Sequence, residues 1–349
     1  MSIRNPALNE KRNRQILADV VRTYVETGEP VSSRAISRRY VEPLSPATIR
    51  NVMADLEEEG YLYQPHTSAG RVPTAAAYRF FAQEVAAQAT LSPEDQEWIR
   101  RELDSASSAE QITERAGHVL AAVSHGLGII VSPPLGKTVL EHVRFLLLPD
   151  GRVVVLLISG GGATRDKVIR TERPFTQAEL DRTADYVSRH YVGWTLEAIR
   201  ADLLARIESE REHYDRLVSN ALVLCDPNIL ADSPARRIYV EGAAQIAAAP
   251  EFAEQPQLRE LLAAMEEKNI LVALLTSCIE FPEPVHVQIG IKEMSAAGEN
   301  LALITAPYSC HDQVQGSLGV LGPMRMQYER AITAVAYVAR LFSETLSRG

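Results

Sequence analysis

Apolar positions in the first ninety residues step in threes and fours, the spacing of one buried face on a helix. Between residues 10 and 27, Ile16, Leu17, Val20, Val21, Tyr24 and Val25 form a single stripe, with Asn9 placed to cap its start and Gly28 to end it. After Glu29-Pro30, Val31 can form a short strand. Ser32 or Ser33 then caps a second helix over 34–40, with Ala35 and Ile36 inward and Arg38 and Arg39 outward. A break at 41–44 precedes the clearest start signal in the chain: Ser45 as N-cap, Pro46 at the first helical position, and Ile49, Val52, Met53 and Leu56 as the buried stripe of a third helix that closes near Gly60. The period then switches to alternation. Residues 61–64 read as a strand, 65–70 as a loop and 71–73 as a returning strand. Helices followed by a hairpin predict a winged helix-turn-helix.

That layout gives the polar positions a use. With the third helix's stripe inward, Thr48, Asn51 and Asp55 face out, Arg50 lies on the flank and Ser45 at the tip. Arginine can fork onto guanine and asparagine onto adenine, while Ser or Thr can touch phosphate or the thymine methyl. The hairpin loop carries His66, Thr67, Ser68 and Arg71 around Gly70, donors suited to a phosphate ribbon or minor groove. The expected DNA-binding set is therefore Ser45, Thr48, Arg50, Asn51, His66, Thr67, Ser68 and Arg71. Arg50→Ala is expected to cost specificity, and Arg71→Ala to cost affinity uniformly.

Beyond the hairpin, helical stripes recur at 74–89, from Ser92-Pro93 to 105, and at 112–123, with a linker-like Ser-rich stretch at 105–108 and a break over 126–134. Strands are expected at 143–148 and 153–158, joined by Pro149-Asp150-Gly151-Arg152, a strong hairpin signal, with a third at 167–173. One long amphipathic helix is expected over 195–223, then strands at 285–291, 301–306 and 317–321, and a closing helix over 327–346. The order of elements predicts an α+β multidomain protein.

Composition sharpens this in three ways. At 46% hydrophobic and 23% charged the chain is that of a folded globular protein, and its 349 residues exceed what one core usually organises. No apolar run approaches the roughly 18 residues of a membrane span, and the N-terminus lacks a signal-peptide core, which predicts a cytoplasmic protein. The net charge of −9 hides an asymmetry. Residues 1–80 carry 11 Lys+Arg against 9 Asp+Glu, leaving 25 against 36 in residues 81–349, so a mildly basic head joins an acidic body.

Catalytic and metal chemistry finds no pattern. Leu135-Gly136-Lys137-Thr138 mimics the tail of a phosphate loop, but Val131 stands where its first glycine belongs. Ser159-Gly160-Gly161-Gly162 lacks the rest of a dinucleotide motif. Cys225, Cys278 and Cys310 form no C-x-x-C pair, and the histidines show no helix-spaced ligand pair. We expect no enzyme activity, no cofactor and no metal.

The runs Leu44-Ser45-Pro46-Ala47-Thr48-Ile49-Arg50-Asn51, the segment 62–74 followed by Tyr78-Arg79, and Gly319 to Tyr328 resemble the HrcA family of heat-inducible transcription repressors. Gln327 stands where that family usually has an acidic residue. The resemblance implies a winged-helix domain at 1–90, a GAF-like domain formed by 91–175 and 275–349, and a mostly helical dimerisation domain inserted at 176–274. It implies a homodimer on double-stranded DNA at an inverted-repeat operator, CIRCE, in front of chaperonin and chaperone operons. Activity is expected to depend on folding assisted by the chaperonin and to be lost on heat shock. A second reading is a small-molecule-responsive regulator with a GAF-like pocket.

Overall fold

The computed structural model describes residues 11–40, 44–67, 69–86, 89–106, 109–132, 136, 139–159, 164–209, 216–230, 238–243, 268–278, 284–294, 296–310 and 313–348. The fold is mixed α+β.

The head holds α1 (Lys11–Thr27), α2 (Ser33–Ser37), α3 (Pro46–Glu58), β1 (Leu62–Tyr63), β2 (Val72–Pro73) and α4 (Ala75–Ala86). Ile16, Leu17, Val20 and Val21 bury the predicted face of α1. Gly28 ends that helix with φ +72°, and its N–H donates to the Tyr24 carbonyl at 2.8 Å. The expected cap Asn9 lies outside the described residues. α2 is shorter than expected, and its inward residues are Ser33 and Ile36 while Ala35 is exposed. Ser32 Oγ accepts the Ala35 N–H, which starts the helix one residue early and turns positions 33 and 36 to the core. β1 and β2 pair antiparallel with Leu62 opposite Pro73 and Tyr63 opposite Val72, and Val31 adds a bridge to Arg71.

The body begins with α5 (Pro93–Asp104) and α6 (Ala109–Ser124), joined where a linker was expected. The break expected over 126–134 is instead β3 (Leu127–Val131), all of it buried. Its Gly128 lies so close to Gly117 of α6 that a β-carbon would strike the Gly117 carbonyl, so this glycine serves helix–strand contact and not a turn.

After β3 the chain forms β4 (Leu140–Leu147), β5 (Val153–Ser159), β6 (Thr164–Ile169), α7 (Gln177–Tyr191), α8 (Leu196–Ser209), α9 (Arg216–Leu224) and α10 (Pro227–Leu230). It returns through β7 (Ile238–Glu241), then α11 (Lys268–Ser277), β8 (His286–Ile289), β9 (Leu301–Cys310), β10 (Gln313–Pro323) and α12 (Tyr328–Arg348). The predicted hairpin at 149–152 is present, with Gly151 at φ +82° and Asp150 Oδ1 accepting the Arg152 N–H. The single helix expected over 195–223 is two helices, α8 and α9, that pack on each other.

Besides the β1-β2 hairpin, two sheets form among the described residues, with strand orders β7-β3-β10-β9-β8 and β4-β5-β6. Strands at 143–173 therefore do not join the later strands, as their expected grouping requires. They share a closed core with α7 to α10, built on Phe145, Val155, Leu180, Val187, Tyr191, Ile199, Leu203 and Leu224. This stretch leaves from β3 and returns at β7, its antiparallel neighbour. Residues 140–175 thus pack with the helices after them. The five-stranded sheet is covered on both faces. Ile130, Ile304, Leu318 and Val320 share a core with residues of α6 and α12, while Leu127, Ile129 and Leu303 share another with Leu271 and Leu275 of α11. The first of these cores runs without a break into the head, through Phe81 and Tyr78 to Ile16, Ile49 and Leu56.

Candidate nucleic-acid interface

The outward side of α3 forms the centre of the candidate site. Ser45 Oγ accepts the Thr48 N–H at 3.1 Å and lies 2.9 Å from the Thr48 hydroxyl, so these two side chains close the helix N-terminus on each other. Ile49, Val52, Met53 and Leu56 are buried, which leaves Arg50 and Asn51 exposed on the opposite side. Ser37 Oγ donates to the Leu44 carbonyl at 2.7 Å and holds α2 at its angle to α3. A groove of about 430 Å³ lies between these helices and the hairpin, lined by Ser32, Ser33, Arg50, Gln64, Thr67 and Arg71 among others.

On the hairpin, His66 and Thr67 are exposed, and Ser68 lies outside the described residues. Arg71 departs from its expected place. Its guanidinium pairs with Glu57 of α3 at 2.8 Å, its side chain is 18% exposed, and its backbone exchanges both bridge hydrogen bonds with Val31. This arginine ties the hairpin to α3 and is largely buried. Gly70 is required by close approach, because a β-carbon there would strike the Pro30 and Val31 backbone.

Sequence reasoning missed Gln64. Its amide donates to the carbonyls of Thr67 at 3.1 Å and Ala69 at 2.8 Å, holding the loop closed. The available signal was an amide at a strand end facing a loop of small residues with unpaired carbonyls.

The 140–230 stretch presents a different surface. One face of its sheet is covered by helices. On the other, Leu146, Val154 and Val168 are cross-strand neighbours, Leu146 and Val168 exposed, followed by Arg144, Leu156 and Asp166 in the next row. Trp194 and Ile229 are also exposed, at 45% and 43%.

Among the described residues no group of three or more His, Cys, Asp or Glu could hold a metal ion, and no helix is long and apolar enough to cross a membrane. Cys225 and Cys278 are buried, and burial pushes the Cys225 thiol up to about 12.

Residues 110–332 match the family described as HrcA protein C terminal domain. The chain belongs to the HrcA family. A relative in Geobacter sulfurreducens, named heat-inducible transcription repressor HrcA, is 37% identical over 337 residues, covering 96% of this chain and 98% of its own. A relative of the same name in Xylella fastidiosa is 33% identical, covering 97% of this chain and 96% of its own. The matched HrcA region begins within α6 and ends within α12, while both relatives also cover most of the head. A crystal structure described as that of a hypothetical protein shares the fold, with a TM-score of 0.60 at 21% identity over 97% of this chain and 99% of its own.

Proposed function

We propose that this HrcA-family chain is a repressor of heat-inducible genes that occupies an inverted-repeat operator of the CIRCE type as a homodimer. The observation that carries the reading is the exposure of Arg50 and Asn51 from a capped helix beside a groove shared with α2 and the hairpin. In this reading residues 11–86 are a winged helix-turn-helix, and α3 enters the major groove of one half-site. Arg50 and Asn51 read bases, Ser45 and Thr48 shape the helix tip, and His66 and Thr67 reach the backbone. Arg71 and Gln64 act indirectly by fixing the hairpin.

The five-stranded sheet with α6 and α12 is the GAF-like unit, and 140–230 is the inserted unit. The apolar outer face of β4-β5-β6 supports its use as the contact between two copies, since covering Leu146, Val154 and Val168 removes apolar surface from water. A twofold pair matches an inverted repeat.

The repressor's active fraction is set by chaperonin-assisted folding, so heat-damaged proteins that occupy the chaperonin lower it and open the promoters. The test is transcription in vitro from a promoter carrying the repeat. Full-length protein lowers the transcript, Arg50→Ala does not, and mild heating relieves repression unless chaperonin is supplied. Transcription indifferent to the protein would overturn the reading, and repression that survives heating without chaperonin would remove its folding-based control.

A further inference from the structure

The segment Gly319 to Tyr328 has no place in DNA contact or in the apolar outer sheet face, yet it meets the head at several points. It runs from β10 through a turn into the first residue of α12. Met324 N–H donates to the Asn300 carbonyl at 2.7 Å, and Tyr328 Oη donates to the Met324 carbonyl at 2.8 Å, so the turn is fixed from both sides. The Tyr328 ring, fully buried, stands 5.9 Å from Tyr78 and 6.2 Å from Phe81, both on α4 of the head.

The next residue, Glu329, holds Arg22 of α1 at 3.2 Å, and that guanidinium lies 5.6 Å over the Phe81 ring while also donating to Asp19 at 3.1 Å. Arg325 packs its guanidinium against Gly28, at the C-terminal end of α1, where a β-carbon would collide with it. Arg79 of α4 donates to the Ile289 carbonyl on β8 at 3.3 Å. Both α1 and α4 are thus met by the stretch 325–329, and α4 is held further by β8.

We infer that residues 322–329 are a clamp that sets the angle at which the DNA-reading head leaves the body, and that Arg22, Glu329 and Tyr328 are positioning residues for operator spacing. The inference rests on the dimeric DNA-binding reading above. A dimer that reads two half-sites must hold its heads at one separation and one rotation, and each added base pair rotates the second half-site by roughly 35°. The apolar half of the clamp belongs to the continuous core. Its ionic half is reachable from water, bordering a cleft of about 730 Å³ lined by Arg14, Arg22, Phe81, Glu84 and Glu329 among others. An ion pair with both side chains near 40% exposed adds little to folding, so removing it changes the head's angle without unfolding the chain.

The experiment uses full-length dimer and three duplexes: a single half-site, the inverted repeat at its natural spacing, and the repeat lengthened by two base pairs. Wild-type protein is expected to prefer the natural spacing by roughly tenfold or more, the effect of losing one of two linked contacts. Arg22→Ala and Glu329→Ala each reduce that preference to below about threefold, and the double variant equals either single one, as coupled partners do. Arg22→Lys restores part of the preference, while half-site affinity stays within about twofold throughout. An unchanged spacing preference, or half-site affinity that falls in parallel, would overturn the inference. Wild-type protein that bound the half-site without preferring any spacing would also overturn it, whereas failure to bind even the half-site would sink the DNA reading itself.

Discussion

The head and the 140–230 unit are both helices packed with a small antiparallel sheet, yet they differ in the clusters they turn outward. The head exposes Arg50, Asn51, His66 and Thr67, while the other unit exposes Leu146, Val168, Trp194 and Ile229. Their cores differ in the same sense. The head's core continues into the body through Phe81 and Tyr328, whereas among the described residues the 140–230 core is a separate cluster. On the proposed reading, a polar surface whose work depends on direction is anchored to the rest of the molecule. An apolar surface gains about 25 cal/mol for each Å² covered whatever carries it, and it sits on a unit whose described core residues form their own cluster.

The largest expected effect comes from charging the apolar face. Leu146→Asp with Val168→Asp should yield monomers in sedimentation velocity and lower inverted-repeat affinity by roughly a hundredfold or more, with half-site affinity unchanged. Because both side chains are exposed, the fold itself should shift by no more than about 0.5 kcal/mol per substitution. A dimer that survives both charges would remove this face from the account.

Core truncations separate the two units. Leu56→Ala and Ile199→Ala each delete a fully buried side chain and should cost about 2–5 kcal/mol. In calorimetry the first should lower the transition of head and sheet domain together, and the second that of the 140–230 unit alone. Identical shifts of a single transition would show that the closed core is not independent.

At the reading face, Arg50→Ala should cost about 1–3 kcal/mol of discrimination between operator and scrambled duplex. Arg71→Ala should weaken binding to both duplexes alike, by loosening the hairpin. A change of base preference with Arg71→Ala would restore it to direct contact.

The smallest effect is an alkaline loss of stability to which two buried thiols contribute, Cys225 of the 140–230 unit and Cys278 after α11, both held above the ordinary thiol range by burial. The Cys225 thiol is pushed up to about 12, while in the unfolded chain it titrates near 8.5. Above that pH the unfolded state loses the proton and the folded state keeps it, so stability falls as pH rises from about 8.5 towards 12. By pH 9.5 the loss from this thiol is about 1.4 kcal/mol. Cys225→Ala should remove the Cys225 share of this loss in thermal melts compared at pH 7 and 9.5, leaving the share of Cys278.

Features written in adjacent residues were legible in the sequence. Ser45-Pro46 starts α3 through one local hydrogen bond, Gly28 ends α1 through its own φ, and Asp150-Gly151 makes its hairpin without help from elsewhere. β3 was hidden because a strand buried on both faces shows no alternation, and its flanking and internal glycines imitate a turn. The partition of strands between two sheets depends on pairings such as β3 with β10, almost two hundred residues apart, which no local pattern encodes. The division of the long stripe into α8 and α9 was hidden because both helices bury residues, Ile199 and Ala221 among them, in the same core. At the site, Arg50 and Asn51 were placed by helical phase alone. The pairing of Arg71 with Glu57 is not legible locally, because Glu57 belongs to an acidic run that, read alone, only closes a helix.

The most direct test of the central claim is a fluorescence-anisotropy titration of full-length protein, at fixed salt, against the inverted repeat, a single half-site and a scrambled duplex. The account predicts two chains bound per repeat, affinity for the repeat well above that for the half-site, and weak, salt-sensitive binding to the scrambled duplex. Folded protein that bound all three duplexes with equal affinity would contradict it.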